Sequence, residues 1–379
     1  MRFRILFLAL VLSLSHTPAY ANPKPAAKCS NACTPALGPS GGFIYRYVKG
    51  VQQRKGINNR WQKSDSRKES LFDPIRTAAY KSINSLAIDS NHQNIEFEDL
   101  IRPSFPKPIA EIVRLQAKEA AKRISPLLDS RIKVKLIGIT EKDQLFVDNE
   151  LPTIVPRTAY GESLEILTDY VSLERFYNRG GTGGGFAGYS EEKGYGFYAA
   201  HTSSLATLDS YWPEVPPHEM AHVLQNYLIR NNGNMYGEGD PRSKVNGHLM
   251  EGSANTLGMA FAFKNIGWYN DEMDRLLARD IQSTRGAIPM KNINDAVAFI
   301  KDIEKRDTER RNQFVYSAGQ FIWEYYIGAY GVDKFIELLK NMKSTENFNE
   351  NLKATIGKDR EAFYQEAGAY LLKNWQRLS

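Results

Sequence analysis

Apolar residues between Pro108 and Ser125 recur at intervals of three and four. Ile109, Ile112, Val113, Leu115, Ala120 and Ile124 therefore fall along one side of a helix. The period then drops to two: from Arg131 to Ile139, Ile132, Val134, Leu136 and Gly138 alternate with Arg131, Lys133, Lys135 and Ile137, as in a strand. Further strands are expected around Gln144 to Val147 and Tyr195 to His201, and a helical pattern lies near Pro74 to Ala87. From Pro216 to the C-terminus the apolar residues keep helical spacing, with no long Pro/Gly break after Gly239. A small twisted sheet followed by a mainly helical lobe, with a cleft between them, is an α+β arrangement. No internal repeat is visible.

One segment resists both periods. Arg179 to Gly188 is rich in glycine, and Gly183, Gly185 and Gly188 fit G-x-G-x-x-G. A nucleotide loop of that form opens a helix inside a strand–helix–strand unit. Here the following stretch, Tyr189 to Tyr198, reads as turn and strand. The expectation is a loop, either beside a binding cleft or plainly on the surface.

The N-terminus carries a different signal. Arg2 and Arg4 precede an apolar run from Ile5 to Leu14, and Ala19-Tyr20-Ala21 supplies small residues flanking one position. That is the layout of a secretory signal peptide, with cleavage before Asn22. The apolar run is too short to span a bilayer, which takes about 20 residues. An exported protein, periplasmic or secreted, is expected. Cys29 follows Lys28 rather than the small residues that a lipidated cysteine requires. The two cysteines, Cys29 and Cys33, can bridge in an oxidising compartment. So short a loop adds little stability. The domains expected are a signal peptide over 1–21, a basic leader or N-terminal extension over 22–105, and one large domain over 106–379.

Charge sharpens the picture of the leader. The net charge is +6. Between Tyr45 and Lys81 ten Lys or Arg stand against Asp65, Glu69 and Asp73. One reading is contact with anionic envelope polymers or lipid headgroups. The other, a solvated and partly flexible arm, is favoured by the few apolar residues from Gln52 to Lys68. No nucleic-acid partner and no transmembrane segment are expected.

The chemistry sits in His218-Glu219-Met220-Ala221-His222, an H-E-x-x-H sequence. Residues four apart share a helix face, so both imidazoles can reach one zinc ion. Zinc lowers the pKa of bound water to about 7. Glu219, one position round the helix, is placed to act as general base. Pro216 and Pro217 suit a first helical turn, and Val223, Leu224, Tyr227 and Leu228 continue an apolar face. A catalytic zinc takes three protein ligands and keeps one open position. Glu251 is the choice for the third. It lies in His248-Leu249-Met250-Glu251-Gly252-Ser253-Ala254-Asn255, which starts a helix running to about Phe263, with Asn246 as a cap. His248, Glu238 and Asp240 are the competing ligands, and His248 reads better as an outer or surface residue. Asn255, one turn on, is placed to orient a ligand histidine.

The pair HEMAH and MEGSAN resembles the gluzincin clan of zinc metallopeptidases, in which H-E-x-x-H is followed by a helical glutamate, often in an E-G-x-A context. The likeness implies a zincin-like fold over roughly Pro106 to Ser379. It also likens Ile356-Gly357 to Trp375 to the C-terminal helix of collagenase-like and related gluzincin domains. Tyr316-Ser317-Ala318-Gly319 is expected to begin a helix ending at Tyr330-Gly331, with Tyr316 as an oxyanion donor by resemblance, though a core role fits a tyrosine equally. His201 is a weaker donor, on a strand that in this clan pairs with an extended substrate. The G-A-M-E-N sequence of the aminopeptidase branch is absent, as is the spacing that gives metzincins a third histidine. The resemblance implies a zinc-dependent peptidase acting on proteins or peptides, cutting within chains. Two alternatives stand beside it: a zinc-binding envelope interaction protein without catalysis, and a zinc hydrolase of a non-peptide or cell-wall substrate.

Overall fold

In the computed structural model, the structure describes residues 45–48, 51–55, 60–63, 65, 67–155, 184–191, 193–207, 212–229, 247–284, 288, 290–304, 309–345 and 347–379. The expected signal peptide, Cys29, Cys33, Asn246, Glu238 and Asp240 lie outside these residues.

The chain begins with a three-stranded antiparallel sheet, β1 (Tyr45–Val48), β2 (Val51–Lys55) and β3 (Trp61–Gln62), followed by α1 (Pro74–Asn84). Asp73 caps α1 by accepting from the Ile75 amide at 2.8 Å, with Pro74 in the first turn. A second sheet holds β4 (Ile95–Ile101), β5 (Ile132–Ile139), β6 (Gly184–Ser190) and β7 (Tyr195–His201), in the order β4-β5-β7-β6. β4, β5 and β7 run parallel, and β6 is antiparallel to β7. The crossover from β4 to β5 is α2 (Lys107–Ile124). Its apolar stripe, read from the sequence, is buried at Ile109, Ile112, Val113, Ala120 and Ile124.

The sheet has two covered faces. One carries Val134, Leu136, Tyr198 and Ala200 into the main core against α2 and α5 (Val215–Ile229). The other carries Ile137, Ile139, Phe197 and Ala199 into a satellite core with α3 (Gln144–Asn149) and α4 (Leu151–Ile154). The strand expected at Gln144 to Val147 is therefore a helix. Phe146 and Val147 are both buried while Leu145 is exposed, an order that no period of two allows.

Beyond α5 the described chain is helical: a π-turn at His248–Gly252 running into α6 (Ser253–Ala262), then α7 (Ile266–Ser283), α8 (Ile293–Asp302), α9 (Glu309–Ser317), α10 (Gly319–Tyr330), α11 (Val332–Asn341), α12 (Phe348–Ile356) and α13 (Arg360–Leu378). α10 is the axis of this lobe, burying Phe321, Ile322, Trp323, Tyr326 and Ile327 against α1, α6 and α13. The helix expected to start at Tyr316 is instead two, α9 ending at Ser317 and α10 starting at Gly319. The architecture is α+β.

Elements on both sides of the boundary expected at residue 105 share this arrangement. β4 lies inside 22–105, yet it is a full partner of β5 in the sheet. α1 packs on α10. The arginines of the basic stretch are also less solvated than expected. Arg54 and Arg67 bond Asp271 of α7 at 2.6 and 2.7 Å, and Arg76 bonds Glu324 of α10 at 2.9 Å and Asp274 of α7 at 2.7 Å. Arg54 and Arg76 are each only 1% exposed, because these acidic partners neutralise them inside the protein.

Candidate metal centre

α5 is buried almost all round, which fits its place between the sheet, α2 and α6. Met220, Ala221, Val223, Leu224 and Tyr227 supply the apolar surface. His218, Glu219 and His222 are exceptions in kind, polar groups at 8%, 5% and 2% exposure. Burying such groups is costly unless each is partnered.

Their partner comes from the π-turn. α6 crosses α5 closely because residue 258 is glycine: a Cβ there would lie 2.7 Å from the His218 amide nitrogen and 2.8 Å from its Cα. The turn before α6 is pressed in turn against the start of α10, where a Cβ on Gly252 would lie 2.3 Å from the Gly319 carbonyl carbon. Held from both sides, the turn delivers Glu251 to the two histidines. His222 Nε2 lies 2.9 Å from His218 Nε2 and 3.1 Å from Glu251 Oε2, and His218 Nε2 lies 3.3 Å from the same oxygen. π-turns inside helices are frequent at functional sites.

These three side chains can hold a metal ion, their ligand atoms all lying within 4.8 Å of one another. The fit is tested by the separations. Ligands about 2.0–2.1 Å from a tetrahedral ion stand roughly 3.3 Å apart, near the distances seen. Two imidazole nitrogens and a carboxylate oxygen also form a donor set suited to divalent transition metals. Two buried atoms beside the group, His218 Nδ1 and Glu219 Oε2, have no hydrogen-bond partner among the described residues.

Glu219 is pushed up to about 8 by burial, with His218 lowering it and Glu251 raising it. Its surroundings include the outermost strand of the described sheet. A Cβ on Gly185 of β6 would sit 3.1 Å from Glu219 Oε1 and 2.8 Å from the Tyr198 ring. The glycine-rich stretch is thus a strand from Gly184 onward, and its glycine leaves room for the carboxylate. β7, expected at the sheet edge, is interior between β5 and β6. His201 at its end lies beside Gly184, on the face turned away from Glu219.

Tyr316, the last turn of α9, stacks on His218 with ring centroids 6.0 Å apart, so it does join the site. His248 does not. Its Nδ1 accepts from the Trp323 indole at 3.2 Å and its Nε2 meets the Tyr364 hydroxyl at 3.1 Å, fully buried on the far side of the turn. Burial, with the Arg360 charge adding, lowers it to about 3.

Sequence reasoning missed Gln225. Its Oε1 lies 2.7 Å from His222 Nδ1, the outer contact expected of Asn255. No hydrogen bond joins Asn255 to either histidine among the described residues. The available signal was an amide three residues after His222, on the same helix face, in an apolar run.

No family model, curated protein or solved structure matches the chain.

Proposed function

We propose that the protein is a zinc-dependent peptidase of the gluzincin kind, exported from the cytoplasm and cutting within protein or peptide chains. The observation that carries this reading is the convergence of His218, His222 and Glu251, from two separate helical elements, with Glu219 beside them.

His218, His222 and Glu251 would hold the ion. Bound zinc supplies Lewis acidity and lowers the pKa of water that it binds. Glu219 supplies the proton transfers: Oε2 accepts a proton from the attacking water and returns it to the departing nitrogen. Burial, with the Glu251 charge adding, raises this carboxyl, and a cation beside it favours the ionised form that a base requires. The Tyr316 hydroxyl donates to the developing oxyanion.

The test joins metal content to substrate class. Purified protein is expected to carry about one zinc per chain. His218→Ala, His222→Ala and Glu251→Ala should each lose most of it while Asn255→Ala keeps it. Wild type should cleave members of an unlabelled peptide library and leave purified peptidoglycan intact. Full zinc retention in Glu251→Ala would remove the third ligand. Hydrolysis of the wall polymer alone would replace the peptidase reading.

A further inference from the structure

We infer that Gln225 is the positioning residue of this centre: its amide selects the tautomer in which His222 presents Nε2 to a metal, and ties that imidazole to the turn carrying Glu251. The inference rests on the proposed metal site and adds a residue to it.

The argument is a count of donors and acceptors. Gln225 is fully buried. Its Nε2 lies 3.0 Å from the Met250 carbonyl and 2.7 Å from Ser253 Oγ. A carbonyl can only accept. The Ser253 hydroxyl donates its one proton to the Leu249 carbonyl at 2.5 Å, so toward Gln225 it too can only accept. Both protons of the Gln225 amide are thereby committed, and the reversed amide would set one carbonyl oxygen against another. Oε1 must face His222 Nδ1, at 2.7 Å, as an acceptor. A neutral imidazole has one donor and one acceptor nitrogen. Nδ1 is therefore the donor, and Nε2 turns a lone pair toward His218 Nε2 and Glu251 Oε2.

A single side chain thus joins the two elements that supply ligands. It grips His222 on α5 with its oxygen. With its nitrogen it grips residues immediately before and two after Glu251. Rotation of the His222 ring and displacement of the π-turn are resisted together. Asn226 contributes to neither constraint: it donates at 2.8 Å to the backbone carbonyl of His222, not to its ring. Outer partners of this sort typically change metal affinity by about 10–100-fold when removed.

The tautomer is directly readable. Histidine-labelled, metal-free wild type is examined by long-range proton–nitrogen correlation above the imidazole titration range, with the His222 signals assigned by their loss in His222→Gln. His222 should carry its proton on Nδ1, although an isolated imidazole prefers Nε2. Gln225→Met, similar in size, should move the proton toward Nε2 and weaken zinc binding about 10–100-fold in competition with a chromogenic chelator. Gln225→Glu keeps the acceptor and should restore the Nδ1–H form. An Nε2–H imidazole in the wild type, or unchanged tautomer and zinc affinity in Gln225→Met, overturns the inference even if the latter variant is folded and the metal site is real. Failure of the wild type to bind zinc overturns the metal reading itself. The wild-type spectrum needs no variant to fold.

Discussion

Glycine at positions 252 and 258 does work that a side chain would undo. Both lie in helical backbone, where Ala is ordinarily preferred by about 0.5–1 kcal/mol. Against that gain stands contact with backbone, which cannot swing aside: Gly258 against His218, and Gly252 against Gly319. Gly258→Ala and Gly252→Ala should therefore destabilise by about 1–3 kcal/mol, the usual cost of overpacking. Gly258→Ala should also lower zinc affinity, because α6 must retreat from His218. Urea unfolding and chelator competition on each variant measure the two effects, and a stabilised Gly258→Ala would deny the close crossing. At this scale much of the site was readable. His218, Glu219 and His222 are adjacent on one helix, so their relation follows from helical geometry alone. Glu251 could only be ranked above His248, Glu238 and Asp240, because a contact across two helices has no period in the sequence. The contacts of Gln225, Gly252 and Gly258 are not visible in the sequence for the same reason: they are set by what lies opposite.

The turn carrying Glu251 is anchored from behind by a chain of side chains from two helices and the turn after a third. The Trp323 indole on α10 donates to His248, His248 meets Tyr364 on α13, and the Tyr364 hydroxyl donates to Glu304 Oε1 at 2.5 Å, just beyond α8. This element has a pH signature. The folded protein holds His248 near 3, below the ordinary histidine value of 6.5. Above about pH 6.5 both folded and unfolded forms leave it neutral, and its contribution is complete. As the pH falls below that, the unfolded chain takes up a proton that the folded one refuses, so stability declines toward about pH 3. Wild type should lose melting temperature on acidification more steeply than His248→Gln over this window; parallel curves would mean that His248 is not buried neutral. Elements with one uninterrupted period, α2 and β5, were legible from residue spacing. α3 was not, since the four residues from Gln144 to Val147 are too few to separate a strand from a turn of helix. β6 was hidden because glycines carry no hydrophobic signal.

At the scale of the described molecule, the segment carrying α1 and β4 is bound into the fold by charge as well as by the sheet. Arg76 reaches from α1 to Glu324 on α10 and Asp274 on α7, and Tyr370 of α13 donates to Glu324 at 2.7 Å. Arg76→Ala leaves Glu324 buried without its cation and should cost about 3–5 kcal/mol in urea unfolding. A loss below about 1 kcal/mol, as for a surface pair, would contradict the burial described. For the same reason a chain beginning at residue 106 should not fold, lacking β4 and α1, and its circular dichroism should be that of an unfolded polypeptide. The sequence concealed this because arginines in a polar stretch look alike whether they face water or a buried carboxylate. What the assembled molecule does rests on Glu219 acting as a base beside a bound metal. The most direct measurement is peptide turnover per bound zinc in Glu219→Gln and wild type, side by side. The substitution keeps the shape and size of the side chain but cannot accept a proton. Zinc content should stay near that of wild type while turnover falls at least about a hundredfold. Undiminished turnover in zinc-loaded Glu219→Gln would contradict the mechanism.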